Sequence, residues 1–128
     1  MPGYTRILSV GHDRHLLSLR SQELRRAGFD VIEAYSSSDA LRLAQSDAVD
    51  LALICQTVPR QEQRALIAAI REHRRLMPIL CVIAHNFAFS ADDRLSAALP
   101  PKLSPQLLME ALQQAVVNYS SYRPNLAA

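Results

Sequence analysis

Five apolar residues in a row, Leu51-Ala52-Leu53-Ile54-Cys55, lie between Asp50 and a Gln56-Thr57-Val58-Pro59 break. A run this short, bounded by an acid and a proline, reads as a strand buried on both faces. Arg6-Ile7-Leu8-Ser9-Val10, ending at Gly11, and Ile79-Leu80-Cys81-Val82-Ile83-Ala84, opened by Pro78, have the same character. Between these runs the apolar residues recur at helical spacing. Strands of this kind in alternation with amphipathic helices predict a parallel sheet covered on both faces. In such a fold the chemistry sits where the strands end, which directs attention to Cys55.

Taken in order, Arg6 to Val10 is the first strand, and Asp13 is placed to cap the helix after it. Arg14 to Ala27 carries an apolar stripe of Leu16, Leu17, Leu24 and Ala27, with Arg and Gln on the other side, and Gly28 stands where a helix C-terminal glycine belongs. Phe29 to Ala34 is the second strand. Ser36-Ser37-Ser38-Asp39 is a loop that supplies the N-cap of a short helix from Ala40 to Ser46. Asp50 to Cys55 is the third strand, and Leu66, Ile67 and Ile70 mark a helix ending near Arg75. After the fourth strand, the stretch from His85 to Ser96 holds a short fourth helix near Ala91 to Leu95, and Ala97-Ala98-Leu99 is a short fifth strand. Ser104-Pro105 caps and starts the last helix, Gln106 to Tyr119. The expected architecture is an α/β, flavodoxin-like, doubly wound sheet of five parallel strands in the order 2-1-3-4-5. Residues 1–128 read as one domain, with a core over about 5–119 and a tail over 120–128.

Composition narrows the functional classes. The chain has 128 residues, 49% hydrophobic and 20% charged, with a net charge of +2. That charge is too small to demand nucleic acid as a partner. No apolar stretch is long enough to span a membrane, and the N-terminus has no signal-peptide pattern, so a cytoplasmic location is expected. Cys55 and Cys81 both lie within apolar runs, which favours buried reduced thiols over a disulfide framework. The basic residues Arg71, His73, Arg74 and Arg75 at the end of the third helix read as complements to the helix dipole, and Arg25 and Arg26 read the same way.

Five features together resemble the receiver domain of bacterial response regulators over roughly Thr5 to Val117. They are the element order, Arg6-Ile7-Leu8-Ser9-Val10 before a polar turn, Asp50-Leu51-x-Leu-Ile-x-x-x-x-Pro59, Pro78-Ile79, and Lys102 before Ser104-Pro105. The resemblance implies a role in two-component phosphorelay signalling. In that family a carboxylate ending the third strand accepts a phosphoryl group, acids hold Mg²⁺, and a lysine pairs with the product. Here the acceptor position falls on Cys55. The acidic pair falls on Gly11 and His12, with Asp13 adjacent. The switch positions fall on Ile83 and Leu99, and Lys102 alone keeps its place. The expectation is a degenerate receiver that is not an enzyme, is not phosphorylated at Cys55, binds Mg²⁺ weakly or not at all and needs no other cofactor. With no output domain attached, it would act through a protein partner or as a homodimer, with neither nucleic acid nor membrane. Met109, Val117 and Tyr119, off the core stripe of the last helix, are interface candidates.

The competing reading is a thiol-based redox or small-ligand sensor in which Lys102 lowers the pKa of Cys55. A zinc site from His12, Asp13 and Cys55 has no ligand-spacing motif behind it, and a Cys55–His12 nucleophile pair lacks a third group. His15 and His73 read as solvated helix-face residues, and His85 has no assigned role.

Overall fold

A computed structural model describes residues 5–46, 48–83, 97–100 and 104–122. Its elements are β1 (Arg6–Val10), α1 (Arg14–Arg26), β2 (Asp30–Ala34), α2 (Ser37–Ala44), β3 (Leu51–Ile54), α3 (Arg60–His73), β4 (Ile79–Val82), β5 (Ala97–Leu99) and α4 (Pro105–Tyr122). The sheet order is β2-β1-β3-β4-β5, with every neighbouring pair parallel. The expected topology is therefore the observed one. The helix expected within His85–Ser96 lies outside the described residues.

The near-continuous apolar strands are explained by two cores, one on each face of the sheet. Alternate side chains of a strand point to opposite faces. Leu8, Val10, Ala52, Ile54, Ile79 and Cys81 meet α2 and α3 through Ala40, Ala44, Leu66, Ile67 and Ile70. Ile7, Leu51, Leu53, Leu80, Val82 and Leu99 meet Leu24 of α1 and Leu108, Leu112 and Ala115 of α4. A strand polar on one face would leave one of these layers without a sheet to cover.

Local signals place the helix ends. Asp13 Oδ1 accepts from the His15 and Leu16 amides at 3.0 and 3.1 Å. Gly28 follows α1 with φ +98°, a left-handed conformation that suits glycine. Ser36 Oγ accepts from the Asp39 amide at 3.2 Å, so α2 starts at Ser37, three residues before the expected Ala40. Ser104 Oγ accepts from the Leu107 amide at 3.1 Å and opens α4.

Two expectations about surface residues need correction. The first helix does not turn all its arginines to solvent: Arg20 and Ser21 are buried in the same stripe as Leu17 and Leu24, whereas Ala27 is exposed. The basic end of α3 also does more than complement a dipole. Arg74 Nη1 donates to the Ala44 and Ser46 carbonyls at 3.1 and 2.9 Å, and Nη2 to the Val49 carbonyl at 3.0 Å. Those carbonyls lie at the end of α2 and in the loop to β3, so Arg74 ties that connection to α3. Arg71 donates to the Met77 carbonyl ahead of β4.

Candidate functional site

Parallel pairing sets the geometry of the site. Val10 pairs with Ile54, so Gly11 and Cys55 leave the sheet side by side at the carboxyl ends of β1 and β3. Between these strands the winding of the chain reverses, which is where doubly wound folds place their ligands. A Cβ built on Gly11 would lie 3.0 Å from Thr57 Oγ1, 3.2 Å from Leu17 Cδ1 and 3.3 Å from Cys55 Cβ. Glycine is what lets the two loops close on each other here.

Cys55 is buried, and its amide donates to the Val10 carbonyl at 2.8 Å. Its sulfur lies 3.1 Å from Nη1 of Arg20, which also reaches Gln56 Oε1 at 3.4 Å. The cation beside Cys55 is thus an arginine from α1, a residue the sequence reading had turned to solvent; Lys102 lies outside the described residues. Burial pushes the Cys55 thiol up, and the nearby Arg20 only partly opposes this. Burial also pushes Cys81 up to about 12. Both shifts favour the protonated thiol, whereas a thiolate sensor needs the reverse.

His12 takes part in a hydrogen-bonded strap and has no contact with Cys55 among those observed. Its amide donates to Thr57 Oγ1 at 3.0 Å. Nδ1 lies 3.0 Å from the Tyr35 carbonyl and Nε2 lies 2.9 Å from Glu62 Oε2. Ser37 Oγ donates to the same carboxylate oxygen at 2.6 Å. The Ser37 hydroxyl first, and then His12, hold the Glu62 carboxyl below its ordinary range. The strap ties together the loops after β1, β2 and β3. Asp13, beside it, uses Oδ1 to cap α1.

Gln63 closes the base of the site from α3. Only 1% exposed, it donates from Nε2 to the Cys55 carbonyl at 3.1 Å and to the Val82 carbonyl at 2.9 Å. Ile83 and Leu99 are both buried, and the Ile83 amide donates to the Leu99 carbonyl at 3.0 Å. Neither side chain brings a polar group. Among the described residues no three His, Cys, Asp or Glu side chains are grouped to hold a metal.

Arg20, Gln63 and Glu62 were missed in the sequence. A usable signal existed for two of them. Arg20 falls three residues after Leu17 and four before Leu24, and Gln63 falls three before Leu66 and four before Ile67. A polar residue at such a position is directed inward. Of the interface candidates, Met109 is half-buried against the α1–α4 core and lines a groove with Glu23, Arg26 and Ala27. Val117 is 60% exposed, and Tyr119 lies within α4.

A second polar cluster spans β2 and α1. Glu33 accepts from Ser21 Oγ and from the Tyr35 hydroxyl, both at 2.6 Å. The Ser21 bond first, and then the Tyr35 bond, lower the Glu33 carboxyl from 4.5. A carboxylate whose pKa is lower in the folded state stabilises fully above 4.5, and that contribution is lost as pH falls through the folded value. Glu33→Gln is therefore expected to flatten the acid limb of the stability curve and to leave the neutral region nearly parallel to the native one. Urea midpoints measured from about pH 3 to 7 check this, and an unchanged acid limb refutes the coupling.

The five-stranded order with helices on both faces is the flavodoxin-like fold of CheY-like receiver domains. Solved structures of that kind match closely. The receiver domain from Clostridium thermocellum superposes with a TM-score of 0.84 at 18% identity, covering 92% of this chain and 98% of its own. A CheY-like receiver domain from Methanospirillum hungatei gives 0.82 at 21% identity, covering 94% and 99%. The receiver domain of a sensor histidine kinase from Pseudomonas aeruginosa, with a magnesium ion coordinated in its active site cleft, gives 0.76 at 20% identity, covering 89% and 98%. At the level of sequence, the alkaline phosphatase synthesis transcriptional regulatory protein PhoP of Bacillus subtilis is 26% identical over 105 residues, 76% of this chain. The chain spans 44% of that relative's length. Comparison with described protein families finds no match. No helix among the described residues is long and apolar enough to cross a membrane.

Proposed function

We propose that this chain is a receiver-type module of two-component signalling that works through a protein partner and without aspartyl phosphorylation. The fold and the similarity to PhoP, a transcriptional regulatory protein, support the signalling setting. One observation carries the rest: the side chain at the end of β3, where an acceptor carboxylate is required, is a buried thiol lying 3.1 Å from the Arg20 guanidinium.

The donor set argues the same way about magnesium. Mg²⁺ favours hard oxygen ligands in octahedral array and dehydrates reluctantly. Gly11 has no side chain, His12 is held by Glu62 and the Tyr35 carbonyl, Asp13 Oδ1 caps α1, and Cys55 offers sulfur. These residues do not suit the ion. Phosphoryl transfer relies on positioning and on charge neutralisation by metal and lysine, so a site without acceptor oxygen and metal has no route to the product.

Intact-protein mass spectrometry after incubation with acetyl phosphate and Mg²⁺ tests this. No added phosphoryl group is expected on the native chain or on Cys55→Asp. In that variant Arg20 would pair with the new carboxylate, and Gly11 and His12 still supply no acid. Gly11→Asp offers no simple repair, because its Cβ meets Thr57 and Cys55. Efficient phosphorylation of either protein overturns the reading.

A further inference from the structure

We propose that His12 is a proton-dependent latch: with both ring nitrogens protonated it holds the loop after β2 against α3, and on losing one proton it releases that loop. The ring stands between two acceptors. Nδ1 lies 3.0 Å from the Tyr35 carbonyl oxygen, and Nε2 lies 2.9 Å from Glu62 Oε2. A carbonyl oxygen never donates, and a neutral imidazole has a single N–H. Both bonds therefore exist together only in the imidazolium. Glu62 does not lend the missing proton. The Ser37 hydroxyl donates to the same Oε2 at 2.6 Å, and the bonds from Ser37 and then His12 hold the Glu62 carboxyl below its ordinary 4.5. Glu62 is thus an acceptor throughout the range where histidine titrates.

Loss of one proton leaves a lone pair facing an oxygen at hydrogen-bond distance. The charge-assisted bond to the carboxylate is the stronger of the two, so the remaining proton stays on Nε2. Nδ1 and the Tyr35 carbonyl then meet lone pair to lone pair, and that contact opens. The bond from the His12 amide to Thr57 Oγ1 and the bond from Ser37 to Glu62 need no imidazole proton, so the release is confined to the Tyr35 side. The other charged and titratable groups on the elements that meet here are otherwise engaged or stand apart. On α1, Asp13 Oδ1 caps the helix, Arg14 lies 4.2 Å from the centroid of the Tyr35 ring, and His15 is exposed. The bond to Glu33 keeps the Tyr35 hydroxyl protonated. On α2, Asp39 pairs with Arg42 at 3.4 Å. After β3, burial keeps the proton on Cys55, with Arg20 beside it, and Arg60 reaches Gln63 Oε1 at 3.4 Å. The latch is closed on the acid side of the histidine range, about pH 5–8, and open on its alkaline side. It stands whether or not the chain signals.

The test is an NMR pH series from about 5 to 8 on the ¹⁵N,¹³C-labelled chain at constant ionic strength. On the acid side both His12 ring nitrogens are expected to carry protons. The Tyr35 carbonyl carbon and the Ser36 amide are expected to shift in one transition with the His12 ring. Glu62→Gln removes the carboxylate and should move that midpoint to lower pH. His12→Gln should abolish the transition at Tyr35 and Ser36 while the ring transitions of His15 and His73 remain. A ring that titrates with no response at Tyr35 and Ser36 overturns the latch. So does a His12 midpoint unchanged in Glu62→Gln, and so does a Tyr35 response that persists in His12→Gln. Where a variant does not fold, the native protein decides: a transition shared by the ring and the Tyr35 carbonyl upholds the latch, and separate transitions overturn it.

Discussion

Gln63→Leu is expected to destabilise the domain by about 2–3 kcal/mol, close in size to a core truncation. Leucine resembles glutamine in volume, so the loss arises from hydrogen bonds and not from a cavity. The Gln63 amide reaches the carbonyls that end β3 and β4. The Cys55 carbonyl keeps the Val58 amide at 3.1 Å, so it is only partly orphaned. The Val82 carbonyl loses the bond at 2.9 Å inside a buried environment. An unsatisfied buried acceptor costs roughly 1–3 kcal/mol, and leucine supplies no donor. Urea denaturation should show a lower midpoint at unchanged slope. A shift below about 0.5 kcal/mol would mean that water reaches those strand ends and that Gln63 does not hold the floor of the site.

The second large effect is a coupling between Cys55 and Arg20. Arg20→Leu alone is expected to be neutral or mildly stabilising, because it removes a buried cation that has no counter-charge among the described residues. Cys55→Asp alone is expected to be tolerated, since the new carboxylate lies beside Nη1, which is now 3.1 Å from the sulfur. The double variant should lose about 3–5 kcal/mol, the penalty of a buried carboxylate left without its cation. The double-mutant cycle isolates this coupling, and chemical denaturation near neutral pH measures it. A coupling under about 0.5 kcal/mol would show that the guanidinium does not stand at the end of β3.

Much of the fold was legible because burial on both faces leaves a plain mark. Leu51 to Ile54 and Ile79 to Val82 contain no polar residue, as a parallel sheet covered on both faces demands. Cap chemistry was legible too: Asp13, Gly28 and Ser104 act at their own helix ends, within a few residues of where they stand in the chain. The site was legible in part. Cys55 beside Gly11 follows from strand order alone. Arg20 was misassigned because an arginine on a helix is usually solvated, and its partner is 35 residues away.

The sequence by itself determined the alternation of elements, the two-sided core and the residues at the strand ends, since periodicity and capping act over a few residues. Only the tertiary structure decided which side chains face those ends. Arg20 beside Cys55, Glu62 on His12 and Gln63 across two strands each join residues that the fold brings together from distant parts of the chain. Each of these polar side chains turns toward the sheet end because buried or crowded groups there need partners, and no local pattern records where those partners will lie.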